Sequence, residues 1–358
     1  MKTGIATLPL HYGKAPHWLF ERMRLLAREI LYILTIEGGK RKVLENLSDP
    51  YWFQAFGCLL GFDWHSSGLT TTVCGAIKES LKDIGKEIGI FAAGGKGSLS
   101  LQTPQEIEKI AENFSLSISP HHLTYASRLS AKVDNSALQD GFQLYHHTFI
   151  FTEEGDWAVI QQGMDPYQGW ARRYHWLSQK NLNFVDEPHK AICSEGRKEK
   201  VLNLVAKESK GVREVSSFLI REKPEKTIKE YKKLKELYLP KHHEIKIPPV
   251  RLENFTRIIY QAHEREPQNF EELLCIKGVG PRTLRALALI SELLYGEKAS
   301  RRDPARFSFA HGGKDGYPFP VDRKTYDQSI AILKEAVSKA KIGRGEKLKA
   351  LRRLSQYG

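Results

Sequence analysis

The chain has 358 residues, 41% of them hydrophobic, with a formal net charge of +13 at pH 7 and a pI near 9.4. That apolar content builds a core and excludes global disorder, and the length suits two or three domains. The basic excess points to a polyanion, nucleic acid first, as partner.

No run approaches transmembrane length, and the N-terminus lacks the basic-then-apolar pattern of a signal peptide. Cys58, Cys74, Cys193 and Cys275 are scattered, with no Cys-x-x-Cys pair. A cytoplasmic protein with reduced thiols is expected, without membrane contact.

From Trp18 to about Glu45, Leu19, Met23, Leu26, Ala27, Ile30 and Leu31 recur at helical spacing. Tyr51 to Leu60 is aromatic and apolar, and the polar run Gly61 to Gly68 follows. Ser66 and Ser67 read as caps for a helix from Thr70 to Ile84. Asp63, His65 and Ser66 are the residue types of a catalytic triad, but a triad is built in space and neighbours this close rarely have its geometry. Ile90 to Ala93 runs into Gly94-Gly95-Lys96-Gly97, a Gly-rich loop offering amides to a phosphate. Gly97 stands where a Walker loop needs Ser or Thr, so nucleotide hydrolysis is not expected. A helix from Pro104 to Asn113 comes next.

The middle is β-rich. Phe142 to Phe151 and Trp157 to Gln162 read as strands around a turn at Glu153 to Asp156; Ala171 to Leu177 reads as a third strand or a helix. Residues 197–246 are dense in Lys and Glu and read as solvated helices and a linker, closed by Ile247-Pro248-Pro249. From Val250 the pattern is helical, ending in a basic helix with Leu348, Leu351 and Leu354 on one side. The expected fold is an α+β N-terminal domain with a short antiparallel sheet (1–195), a charged helical connector (196–249) and an all-α C-terminal domain (250–358).

Within that last domain, Leu273 to Leu287 reads as a helix end, a Gly-Val-Gly turn and a second helix. Gly278 and Gly280 lack a Cβ, which permits left-handed angles and close approach of a ligand. Pro281 suits the first helical turn, whose open amides and positive dipole end receive a phosphate. The expected DNA-binding set is Lys277, Gly278, Val279, Gly280, Arg282, Thr283 and Arg285, with Lys314 from the Gly312-Gly313-Lys314 loop. The run resembles the helix-hairpin-helix motif, which implies a sequence-independent grip on a nucleic-acid backbone. Such a grip discriminates bases little, so duplex or branched DNA is the expected partner and RNA stays open. The plain alternative is a helical corner with a Gly cap.

The N-terminal unit holds the denser polar set. Lys132, Asp134, Gln139, Asp140, Gln143, His146 and His147 lie in one stretch, and Gln161, Gln162, Arg172, Arg173 and His175 follow. Strand alternation puts Gln143, Tyr145 and His147 on one face and Leu144, His146 and Thr148 on the other. Carboxylates and imidazoles hold metals, and basic groups steady phosphates. The leading expectation is a metal-dependent DNA nuclease of repair or processing, although no standard ligand spacing is present. Asp134, Asp140 and His147 hold Mg or Mn in it, with Lys132 and Arg172 at the scissile phosphate.

Two alternatives stand beside it. Val321-Asp322 is similar to the Val-Asp segment of base-excision glycosylases of the helix-hairpin-helix class, although the gap from the hairpin is much longer here. That resemblance implies Asp322 as the acid that stabilises charge on the sugar. Arg282 occupies the position that is Lys in lyase-active members and forms no Schiff base, so such an enzyme would be monofunctional. Without it, Asp322 is a helix N-cap. The other alternative is a non-enzymatic DNA-binding or scaffold protein.

Five segments together resemble one family. They are Gly4 to Leu10, Phe62 to Gly68, Gln161 to Met164, Arg172 to Trp176 and Ala310 to Gly316. The family is catalogued as a domain of unknown function, DUF-763. The resemblance spans nearly the whole chain and implies a prokaryotic, often thermophile-associated protein, but no activity.

Overall fold

A computed structural model describes residues 15–62, 67–116, 118–165, 167, 169–194, 197–234, 250–305, 323–341 and 343–355. The described chain opens with three helices: α1 (His17–Ser48), α2 (Pro50–Leu60) and α3 (Gly68–Ile88). The helical periodicity read in α1 and α3 is present. Gly39 interrupts α1 with φ +79°, a conformation glycine tolerates. Asp49 starts α2 by accepting the amides of Tyr51 and Trp52, and Pro50 fills the first helical position. Every residue of α2 is buried, as expected of a helix that is apolar all round.

Strand β1 (Ile90–Lys96) follows, then the short α4 (Ser98–Leu101), α5 (Thr103–Asn113) and α6 (Pro120–Lys132). The Gly-rich loop expected at residues 94–97 is therefore mostly the end of a strand. Gly94 is required there, because a Cβ would lie 2.2 Å from the His147 carbonyl oxygen. The end of α6 widens into a single π-turn, Val133–Ala137. Next come β2 (Leu138–Gln139), β3 (Gln143–Thr152), β4 (Trp157–Asp165), β5 (Trp170–Leu177), β6 (Ala191–Cys193) and β7 (Leu202–Asn203). The strand-or-helix segment near Ala171 is a strand.

The main sheet is antiparallel, in the order β1-β3-β4-β5-β6. Helices cover both of its faces. Ile90, Ala92, Ile150, Ala158 and Ile160 pack against α1, α2 and α3. Phe91, Phe149, Phe151, Trp157, Val159 and Trp176 pack on the other side with Ile107 of α5 and Leu123 and Leu129 of α6. Alternation alone predicts the faces of β3 only in part, because the register shifts between Leu144 and His146. This bulge reverses parity, as an extra residue must. Leu144 joins the core on the His147 side, and the Tyr145 hydroxyl meets Gln162, the partner of His146.

The remaining helices are α7 (Lys210–Arg221), α8 (Pro224–Leu234), α9 (Leu252–His263), α10 (Phe270–Cys275), α11 (Pro281–Tyr295), α12 (Arg323–Lys339) and α13 (Arg344–Ser355). The stretch expected as a solvated connector is one-sided. Val212, Leu219 and Ile220 of α7 and Ile228 and Tyr231 of α8 share one core with α9, α11 and the sheet face under α6. The segment 250–358, expected as one helical unit, divides between two cores. Leu284, Leu287 and Ile290 of α11 belong with Phe149 and Trp176, whereas Leu333, Ala336, Val337 and Ala350 pack on α1 and α2. The protein is thus a mixed fold of helices and a small antiparallel sheet. Among the described residues, no helix is long and apolar enough to cross a membrane.

Candidate functional site

The polar residues of the sheet meet at one end, where β1 finishes and β3 begins, but the helices on both faces bury them. On the α6 side a directed chain of hydrogen bonds runs through the interior. Gln161 Nε2 donates to Asp134 Oδ2 at 2.6 Å, so Gln161 Oε1 is left to accept from His147 Nδ1 at 3.0 Å. That fixes the His147 tautomer, and Nε2 accepts from the Ser127 hydroxyl at 2.9 Å. Trp176 Nε1 donates to the same Asp134 oxygen at 2.9 Å, and His189 Nε2 meets the other. The order serine, imidazole, carboxylate resembles a catalytic relay with Gln161 inserted. Ser127 is 2% exposed and Asp134 is fully buried, so the chain orders the interior. Burial pushes His147 down to about 4, which keeps it neutral at physiological pH.

Asp140 belongs to a different network. Its Oδ2 accepts from Arg172 at 2.8 Å and from the Tyr174 hydroxyl at 2.8 Å, and its Oδ1 accepts the Phe142 amide at 3.1 Å. Arg172 makes a two-pronged pair with Asp303 at 2.9 and 2.6 Å, and its guanidinium lies 4.5 Å from the Phe142 ring centre. Burial raises the Asp140 carboxyl above the ordinary range despite that cation. The residues expected to hold a metal are therefore not brought together: Asp134 and His147 are joined through Gln161, and Asp140 is spent on Arg172. Among the described residues no three His, Cys, Asp or Glu side chains gather as a metal would need.

The opposite face holds a second buried set. Arg173 lies 4.7 Å from the Phe53 ring centre and donates to His175 Nε2 at 2.9 Å and to Gln54 at 3.1 Å. His146 is pushed down to about 3 by burial, then by His147 and Lys96. Cys74 and Cys193 are buried beside Arg173, and burial holds both thiols up at about 12. Asp63, His65 and Ser66 lie outside the described residues, as do Lys314 and Asp322.

The second candidate region is the elbow between α10 and α11. Asn269 caps α10, its side chain accepting the Glu272 amide. Gly278 has φ +96°, which demands glycine, and its missing Cβ faces Ile258 of α9. Gly280 does not share that requirement, because its φ of −136° and ψ of −174° are ordinary extended backbone. Pro281 begins α11 as expected, and no side chain caps that helix. Lys277, Gly278 and Arg282 are exposed, Gly280 and Arg285 half-buried, and Val279 and Thr283 buried. Arg285 leans inward toward Tyr231; burial, then Arg301, lowers its pKa.

Lys132, expected at a scissile phosphate, is engaged at the elbow instead. It serves the elbow from behind, donating to the Val279 carbonyl at 2.7 Å. Gln139 does the same for Pro281 at 2.8 Å, and the Tyr125 hydroxyl holds Glu271 of α10 at 2.6 Å. Ser127, His189 and Asp303 carried no sequence signal as partners; only the fold joins them to Asp134, His147 and Arg172. Lys132→Met is expected to remove about 1.5–3 kcal/mol of stability, the worth of a charge-assisted hydrogen bond. Urea unfolding measures it, and an unchanged midpoint contradicts the bracing role.

A family model described as "Protein of unknown function (DUF763)" matches residues 4–321. No curated protein and no solved structure matches the chain.

Proposed function

The chain belongs to the DUF763 family, and we propose that it is a nucleic-acid-binding protein whose α10–α11 elbow grips the sugar-phosphate backbone. One observation carries the reading: the elbow presents Lys277, the Gly278 backbone and Arg282 to solvent at an uncapped helix start, while the polar sheet is sealed. The amides of the first turn of α11 point away from their own helix and take up an anion. Lys277 and Arg282 neutralise phosphates on either side of it. A helix-hairpin-helix grip of this kind is indifferent to base sequence.

Cleavage forms no part of the proposal. Asp134 and Asp140 use their carboxylate oxygens inside the fold, and His147 has both ring nitrogens engaged. The sheet network serves instead to hold the surface from which Lys132 and Gln139 support the elbow. Labelled duplex incubated with Mg or Mn is expected to stay intact; cutting that Asp134→Asn abolishes, with the protein still folded, would restore the nuclease reading.

The test of the grip is the double variant Lys277→Ala/Arg282→Ala, titrated with duplex DNA by fluorescence anisotropy. Affinity is expected to fall, and the slope of log K against log salt to flatten by about 2, near 0.9 for each phosphate no longer neutralised. A variant that binds like the parent at every salt concentration rules out the elbow as the grip.

A further inference from the structure

The groove between α8 and α9 plays no part in the site already described. It encloses about 650 Å³. Ile228 and Leu252 line it, along with Lys229, Lys232 and Arg257. The Tyr260 ring stands at its side, 41% exposed. Glu225 and Glu253 also line the groove, so cations exceed carboxylates by one. Glu225 is engaged, accepting the Tyr260 hydroxyl at 2.7 Å.

Helix α9 connects this groove to the elbow. A Cβ at Gly278 would lie 3.5 Å from Ile258 and 3.9 Å from Gln261. Arg257 and Tyr260 immediately precede those two residues, so the groove and the elbow's seat occupy neighbouring faces of one helix. A strand leaving the elbow and crossing α9 meets the cations of Lys229, Lys232 and Arg257 and the exposed ring of Tyr260. Stacking on such a face tolerates any base and complements a backbone grip that reads none.

We propose that the α8–α9 groove binds a single-stranded extension of the nucleic acid whose duplex part is held by the elbow. Lys229, Lys232 and Arg257 take successive phosphates, and a base stacks on Tyr260. This inference rests on the elbow reading of the preceding subsection.

The experiment compares a blunt DNA duplex with the same duplex carrying a single-stranded tail. Both are titrated by anisotropy into the full-length parent, Tyr260→Leu, Tyr260→Phe, Lys229→Ala/Lys232→Ala/Arg257→Ala, and Lys277→Ala/Arg282→Ala. The parent is expected to prefer the tailed duplex. Tyr260→Leu loses about tenfold on the tailed duplex and nothing on the blunt one, while Tyr260→Phe keeps the stack and the affinity. The triple variant flattens the salt slope for the tailed duplex by about 2, near 0.7 for each single-strand phosphate. If Tyr260→Leu and the triple variant bind the tailed duplex like the parent while the elbow variant loses the blunt duplex, the groove proposal is overturned and the elbow reading survives. If the parent binds neither duplex, both fall.

Discussion

Replacing Arg172 with methionine is expected to lower the unfolding free energy by about 3–5 kcal/mol, the cost of leaving a buried charge without its partner. The side chains of Arg172 and Asp140 are 0% exposed and that of Asp303 is 1% exposed. Burial opposes the guanidinium charge, and the two carboxylates together hold it protonated. Removing the cation strands both anions at once. Asp140 keeps the Tyr174 hydroxyl and the Phe142 amide, and Asp303 keeps the Lys198 amide at 2.6 Å, so the network is damaged without being emptied. Lysine is not expected to rescue, because the pair with Asp303 needs two parallel donors. Guanidinium unfolding of Arg172→Met and Arg172→Lys measures this; midpoints equal to the parent's would show that the network does not hold the sheet to residue 303.

Acidification is expected to destabilise the fold well above the carboxylate range. His147 titrates at about 4 and His146 at about 3, both held down chiefly by burial. His175 lies well below its ordinary value, by burial and then by Arg173. In the unfolded chain an imidazole takes up its proton near pH 6.5. Between that value and the folded pKa the unfolded state binds protons the folded state refuses. Stability therefore falls as pH falls, by about 1.4 kcal/mol per pH unit for each imidazole. Asp140 runs the other way, since its carboxyl, raised chiefly by burial, favours the folded state on protonation above the ordinary carboxyl value. It is one group against three. Thermal midpoints should drop steadily from pH 6.5 to pH 4.5; a flat profile over that range contradicts a sealed imidazole cluster.

Much of the fold was legible because its periodicities are strong. The apolar stripe from Leu19 to Leu31 and the alternation through Phe149 and Phe151 lie where the pattern placed them. Three features resisted for physical reasons. The bulge at Tyr145 adds a residue without changing composition, so alternation cannot show it. The inward face of α7, Val212 with Leu219 and Ile220, is diluted by Lys and Glu on its solvent side and read as solvated.

The third concerned the candidate site. Asp134, Asp140, His147 and Arg172 are the residue types of an active site, but type does not say whether helices cover both faces of the sheet that carries them. Here they do, and Arg172 finds Asp303 across 131 residues of sequence. The elbow was more legible, since Gly278, Pro281 and the flanking cations act locally. Even so, Val279 and Thr283 turn inward, and Gly280 needs no glycine geometry.

The most direct measurement is the affinity of the parent protein for a blunt DNA duplex across a salt series from about 50 to 200 mM. The account predicts a steep linear fall of log K with log salt, shallower for Lys277→Ala/Arg282→Ala. Binding too weak to measure at the lowest salt, or a slope that the double variant leaves unchanged, would contradict it.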